Sequence, residues 1–163
     1  MEMHGTRTIA ADRETVWAHL NDAETLKACI PGCEELTGNP EDGFEAVVKQ
    51  KVGPVKATFK GQVQLENVNA PESYTISGEG KGGVAGFAKG GANVHLKEVE
   101  EGTELTYDVE AKVGGKLAQL GSRIIDGFAR KMADQFFDRF RDRVEGPAEE
   151  NGEEEGGPAE KEA

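Results

Sequence analysis

Between Ala57 and Glu66 the chain reads ATFKGQVQLE. Ala57, Phe59, Gly61, Val63 and Leu65 alternate with Thr58, Lys60, Gln62, Gln64 and Glu66. A period of two puts the first set on one face of a strand and the second on the other. The same alternation recurs on both sides. Phe44, Ala46 and Val48 alternate with Glu45, Val47 and Lys49. Tyr74, Ile76, Gly78 and Gly80 alternate with Thr75, Ser77, Glu79 and Lys81. Further runs lead with Ala88, Gly90, Ala92, Val94 and Leu96, and with Leu105, Tyr107, Val109, Ala111 and Val113. Turn signals separate them at Asn39–Gly43, Gly53-Pro54, Asn69–Pro71 and Glu101-Gly102. The pattern is an antiparallel meander with one wet and one covered face.

Outward from the meander the period changes. A strand is expected over Met3–Ile9. A short helix follows, capped by Asp12, with positions 13, 16, 17 and 20 at helical spacing. A second runs over Ala23–Ala28 into CIPGC (Cys29–Cys33), where Pro31-Gly32 marks a turn. Beyond the meander, Leu117, Leu120, Ile124, Phe128, Met132, Phe136, Phe140 and Val144 recur at three- and four-residue steps. They predict one long amphipathic helix from about Gly115 to Val144. The expected class is α+β: about seven antiparallel strands curved around a long C-terminal helix, with two short helices after the first strand. Residues 1–144 form one domain. Residues 145–163 hold eight Glu and one Lys with no core-forming residue, and are expected to be disordered.

The 163 residues carry 31 acids and 19 bases, a net charge of −12. That balance argues against a nucleic-acid partner. No run approaches the roughly 20 apolar residues of a membrane helix. No signal peptide is visible at the N-terminus, and two cysteines fit a reducing, cytoplasmic setting.

The covered face is built from small residues, among them Ala46, Gly61, Gly78, Gly80, Ala88, Gly90, Ala92 and Ala111. Either the helix lies very close to the strands or a cavity remains between them; glycine in strands also marks bends. The stretch GEGKGGVAGFAKGG (Gly78–Gly91) lacks the Lys-Ser or Lys-Thr and the following helix of a phosphate-binding loop. A bending hairpin near a pocket mouth fits it better. His4, His19 and His95 are scattered, and Cys29 and Cys33 lack the further ligands of a zinc site, so no metal is expected. No catalytic arrangement stands out.

Three segments resemble the family of the carbon monoxide dehydrogenase G subunit. They are DRETVWAHLND (Asp12–Asp22) continuing into AETLKACIPGCEEL (Ala23–Leu36), GEGKGGVAGFAKGGANVHL (Gly78–Leu96), and GSRIIDGFARKMADQFFDRF (Gly121–Phe140). The resemblance implies the helix-grip fold of the START-like superfamily. It implies an accessory role beside a molybdenum hydroxylase-type dehydrogenase, aiding its recruitment to the membrane or electron delivery. A quinone or other lipid would be the bound ligand, no cofactor would be covalent, and peripheral contact with the inner membrane face is expected. Many relatives carry an apolar anchoring segment after this domain. Here the stretch is acidic, so attachment through it is not expected.

On this reading the chain is a carrier of an apolar molecule. Phe59, Val63, Leu120, Ile124 and Phe128 would wall the pocket, and Ile30, Pro31 and Phe87 would form its mouth. Trp17 is core or pocket lining. Gln50 and Tyr107 sit at inward parity; they either hydrogen-bond a ligand carbonyl or satisfy strand ends. The alternatives are an assembly factor with a closed core, or a cyclase-like enzyme. The enzyme would need an acid–base pair among inward positions that hold no Asp, Glu or His.

Overall fold

A computed structural model describes residues 1–146. The remainder of the acidic stretch, residues 147–163, lies outside the described residues, and with it the expectation of disorder there.

Strand β1 (Glu2–Ile9) leads into helices α1 (Arg13–Leu20) and α2 (Ala23–Cys29). Each helix opens on an aspartate. Asp12 accepts from the Thr15 backbone N–H, and Asp22 accepts from both the backbone N–H and the hydroxyl of Thr25. These bonds satisfy amides that a first helical turn leaves unpaired. They also hold both carboxyls below the ordinary range, chiefly through the Thr15 backbone bond for Asp12 and the Thr25 hydroxyl for Asp22.

Six strands follow: β2 (Cys33–Asn39), β3 (Gly43–Val52), β4 (Val55–Asn69), β5 (Ser73–Lys81), β6 (Phe87–Val99) and β7 (Gly102–Gly114). Their order in the single sheet is β1-β7-β6-β5-β4-β3-β2, every neighbouring pair antiparallel. Short hairpins make β2 to β7 sequential neighbours, and β1 closes onto β7. The sheet curls where its side chains vanish. Gly78 of β5 faces Gly90 of β6, and a Cβ on Gly90 would stand 2.0 Å from the Glu110 carbonyl oxygen. A single 3₁₀ turn, Gly83–Ala85, joins β5 to β6.

The C-terminal helix departs from the sequence expectation. It is two helices, α3 (Lys116–Gln119) and α4 (Ser122–Glu145), broken at Gly121, whose φ is +87°. That conformation costs glycine little and other residues much, so the helical phase restarts there. α4 then lies across the concave face of the sheet. Ile125, Phe137 and Phe140 are buried. Arg7 of β1 donates to Asp134 at 2.8 Å, Arg143 to the Thr25 hydroxyl at 3.2 Å, and the Ala10 N–H to the Glu145 carboxylate at 2.8 Å. No helix among the described residues is long and apolar enough to cross a membrane.

Candidate functional site

The sheet and α4 do not close on each other. Between them lies a cavity of about 680 Å³, the size of sites that hold small organic ligands. The inward rows of the strands supply its wall: Ala46, Gly61, Gly80 and Ala88 in one row, Leu65, Ile76, Ala92 and Val109 in another. The small residues therefore both permit the curl and leave space. α4 contributes Ile125, Phe128, Ala129, Met132, Ala133, Phe136 and Phe137. Toward α1 the wall is aromatic. Tyr107 stacks on Phe137 with ring centroids 5.3 Å apart, and Tyr74 meets the Trp17 ring edge at 5.1 Å.

Among the described residues, no lining side chain is acidic, basic or a histidine. The polar ones are Asn21, Gln50, Tyr74 and Tyr107. Gln50 donates its amide to the Pro31 carbonyl, and the Tyr107 hydroxyl accepts from Arg7 at 3.2 Å. Burial pushes the Tyr74 phenol well above its ordinary range, so it is a neutral hydroxyl at any physiological pH. Such a wall solvates hydrocarbon and offers little to an ion.

Seven expected pocket residues meet on this wall: Ile30, Pro31, Gln50, Phe59, Val63, Tyr107 and Phe128. Four do not. Ile124 is 41% exposed, because α4 starts afresh after Gly121 and turns Ile125 inward instead. Leu120 caps α3 and packs against the Val52–Leu117–Ile125 cluster, while Leu117 reaches the cavity. Phe87 is 40% exposed. The alternation of β6 turns Ala88 inward and lays Phe87 over Gly114 on the outer face. Trp17 packs behind Tyr74, one layer out from the wall. Unanticipated members such as Ile125 and Phe137 had a signal, Gly121, which interrupts the helical pattern. Cys29 and Cys33 are free thiols. Among the described residues, no three His, Cys, Asp or Glu side chains converge as metal ligands.

A second cleft, about 340 Å³, opens between the end of β3 and the start of α4. Gln50, Phe128 and Met132 line both spaces, so these three side chains stand between the cavity and the outside. Lys51, Arg123 and Lys131 flank the outer side.

Charge is polarised along the strands. At the α3 end, residues 49–60, 80–90 and 111–125 carry Lys49, Lys51, Lys56, Lys60, Lys81, Lys89, Lys112, Lys116 and Arg123, all exposed; the acids level with them are Glu79, opposite Lys89, and Glu34 and Glu35 on β2. At the opposite end, residues 39–45, 66–73 and 98–104 carry Glu41, Asp42, Glu45, Glu66, Glu72, Glu98, Glu100, Glu101 and Glu104, against Lys97 opposite Glu104 and Arg13 beside Glu72. Register sets lysine against lysine at Lys51–Lys56, Lys60–Lys81 and Lys89–Lys112. Of these nine basic residues, only Lys49 forms an ion pair among the described residues, with Glu34 at 3.2 Å.

Residues 5–145 match the family model that describes the G subunit of carbon monoxide dehydrogenase (CoxG). No curated protein sequence matches the chain. Among solved structures, a conserved protein from Geobacillus kaustophilus is similar at 28% identity, with a TM-score of 0.83 over 89% of this chain and 95% of that one. A START superfamily protein from Mycobacterium smegmatis has 15% identity and a TM-score of 0.66 over 88% and 97% of the two chains. A protein from Rhizobium leguminosarum has 12% identity and a TM-score of 0.68 over 89% and 94%. The last two share the fold, which is START-like, as the sequence implied.

Proposed function

Since the chain belongs to the CoxG family, whose name implies association with carbon monoxide dehydrogenase, we propose that it is a non-catalytic accessory protein that holds a quinone or a similar lipid between sheet and helix. The partner would be a molybdenum hydroxylase-type dehydrogenase. Exchange of the ligand would take place by peripheral contact with the cytoplasmic face of the membrane.

One observation carries this reading: the cavity of about 680 Å³ with an apolar wall. Burying a hydrocarbon chain there stabilises binding by about 0.8 kcal/mol per CH₂ without any charged contact. The same wall speaks against a cyclase or hydratase, whose chemistry needs a carboxylate or imidazole within reach of the substrate. It also speaks against a closed-core assembly factor.

The test is organic extraction of protein purified from its native cells, followed by mass spectrometry. A stoichiometric quinone or lipid is expected. A blank, repeated after incubation with quinone-loaded vesicles, would overturn the carrier reading and favour an assembly role without ligand.

A further inference from the structure

We propose that the α3 end of the molecule is a docking face for a bilayer that carries anionic lipid. The inference deepens the peripheral membrane contact proposed above by naming the face and the lipid chemistry; the face itself rests on charge, register and exposure.

The strongest observation is a cost. Like charges directly opposite across a sheet destabilise it, and this end accepts that three times, at Lys51–Lys56, Lys60–Lys81 and Lys89–Lys112. Only the last pair has an acid in register beside it, Glu79 opposite Lys89. Around Lys60 and Lys81 the nearest acids are Glu79, two positions along β5, and Glu35, on β2 beyond β3 in the same row; neither stands opposite a lysine of that pair. A plane of negative headgroups relieves all three repulsions at once.

The second observation is apolar exposure at the tip. Val84 is 85% exposed on the Gly83–Ala85 turn, and Phe87 and Ile124 lie at the same end, 40% and 41% exposed. An apolar tip ringed by bases suits an interface in which apolar side chains enter the headgroup boundary and cations stay at its surface.

The third observation selects a bilayer over an acidic protein. Eight of the nine bases are lysine and one is arginine. Protein interfaces enrich arginine and deplete lysine. Lysine's hydrated charge on a flexible stem needs no fixed partner geometry, which suits a fluid array of headgroups. The acidic far end is repelled by the same surface, so the charge polarity also orients the molecule. Docked this way, the cleft beside Gln50, Phe128 and Met132 faces the lipid.

The test is co-sedimentation of the full chain with quinone-free vesicles, either pure phosphatidylcholine or phosphatidylcholine with one third phosphatidylglycerol. Binding is expected to the anionic vesicles only, and salt should release it. The double variant Lys60→Gln/Lys81→Gln is expected to bind about tenfold more weakly or worse, yet to melt no lower than the parent, because the repulsion it removes offsets the attraction to Glu35 and Glu79 that it also removes. Loss of binding through misfolding would instead lower the melting temperature. Val84→Asp should also weaken binding, and Glu100→Lys at the far end should not. Equal binding to neutral vesicles, unaltered binding by the lysine variant, or displacement from anionic vesicles by excess polyglutamate that leaves the phosphatidylglycerol dependence weak would overturn the proposal. Because the vesicles hold no quinone, failure here leaves the extraction result untouched, and a blank extraction leaves this one untouched.

Discussion

The Gln50 side-chain amide donates to the Pro31 carbonyl, nineteen residues away in sequence. It ties the turn after α2 to β3 at the cavity wall. Gly32 makes the approach feasible: its φ is +76°, and a Cβ there would stand 2.1 Å from the Lys49 carbonyl oxygen. Gln50→Met keeps the volume and leaves a partly buried carbonyl unpaired. It is expected to cost about 1–2 kcal/mol, seen in urea unfolding as a lower midpoint at unchanged slope. An unchanged midpoint would mean that water replaces the amide.

Ala92 faces the cavity from β6, between Ile76 and Val109. A large side chain forced into a packed core costs about 1–3 kcal/mol. Into an open cavity it carries no such strain. Ala92→Phe is therefore expected to leave the melting temperature unchanged or raised, while lowering retention of an apolar fluorescent probe such as Nile red at least several-fold. A drop in stability with undiminished probe binding would show that the side chain has no room there.

Asp22 caps α2 as an anion, so its folded carboxyl titrates below its unfolded value. A depressed folded pKa contributes stability above the unfolded carboxylate range, and that contribution is lost as pH falls through the folded value. Asp22→Ala should destabilise by about 1 kcal/mol near neutral pH. The gap from the parent protein should narrow steadily below about pH 4. A gap independent of pH would assign the cap's effect to something other than the carboxylate charge.

Burial pushes both thiols up, and it is the largest influence on each. Cys29 is 1% exposed, whereas Cys33 is partly open. In the native protein at neutral pH, iodoacetamide should label Cys33 first and Cys29 only on unfolding, with both slower than a free thiol. Peptide mass spectrometry reads the order directly. Prompt labelling of Cys29 would place α2 away from its packed position.

Much of the fold was legible in the order of residues. The Ala57–Leu65 alternation, the turn signals and the aspartates at 12 and 22 each act over a few residues, and strands and helices stand where they point. Of the candidate site, the strand residues and the Ile30-Pro31 turn come together as parity implies. Two of the residues that stand off the wall share one cause. Phe87 and Ala88 are neighbours with opposite faces, as are Ile124 and Ile125, and the choice between them depends on where an element begins. For α4 that origin is Gly121, which any smooth helical pattern runs through.

The covered face and its smallness follow from the order of residues alone, because a period of two and a scarcity of bulk are properties of near neighbours. Whether that smallness means a collapsed core or a cavity depends on packing across the whole chain. Curvature and helix position are set by backbones far apart in sequence, such as Gly78 against Gly90. The charge polarity is of the same kind. Lys60 and Lys81 are separated by a whole hairpin, and only the register of β4 with β5 sets them face to face.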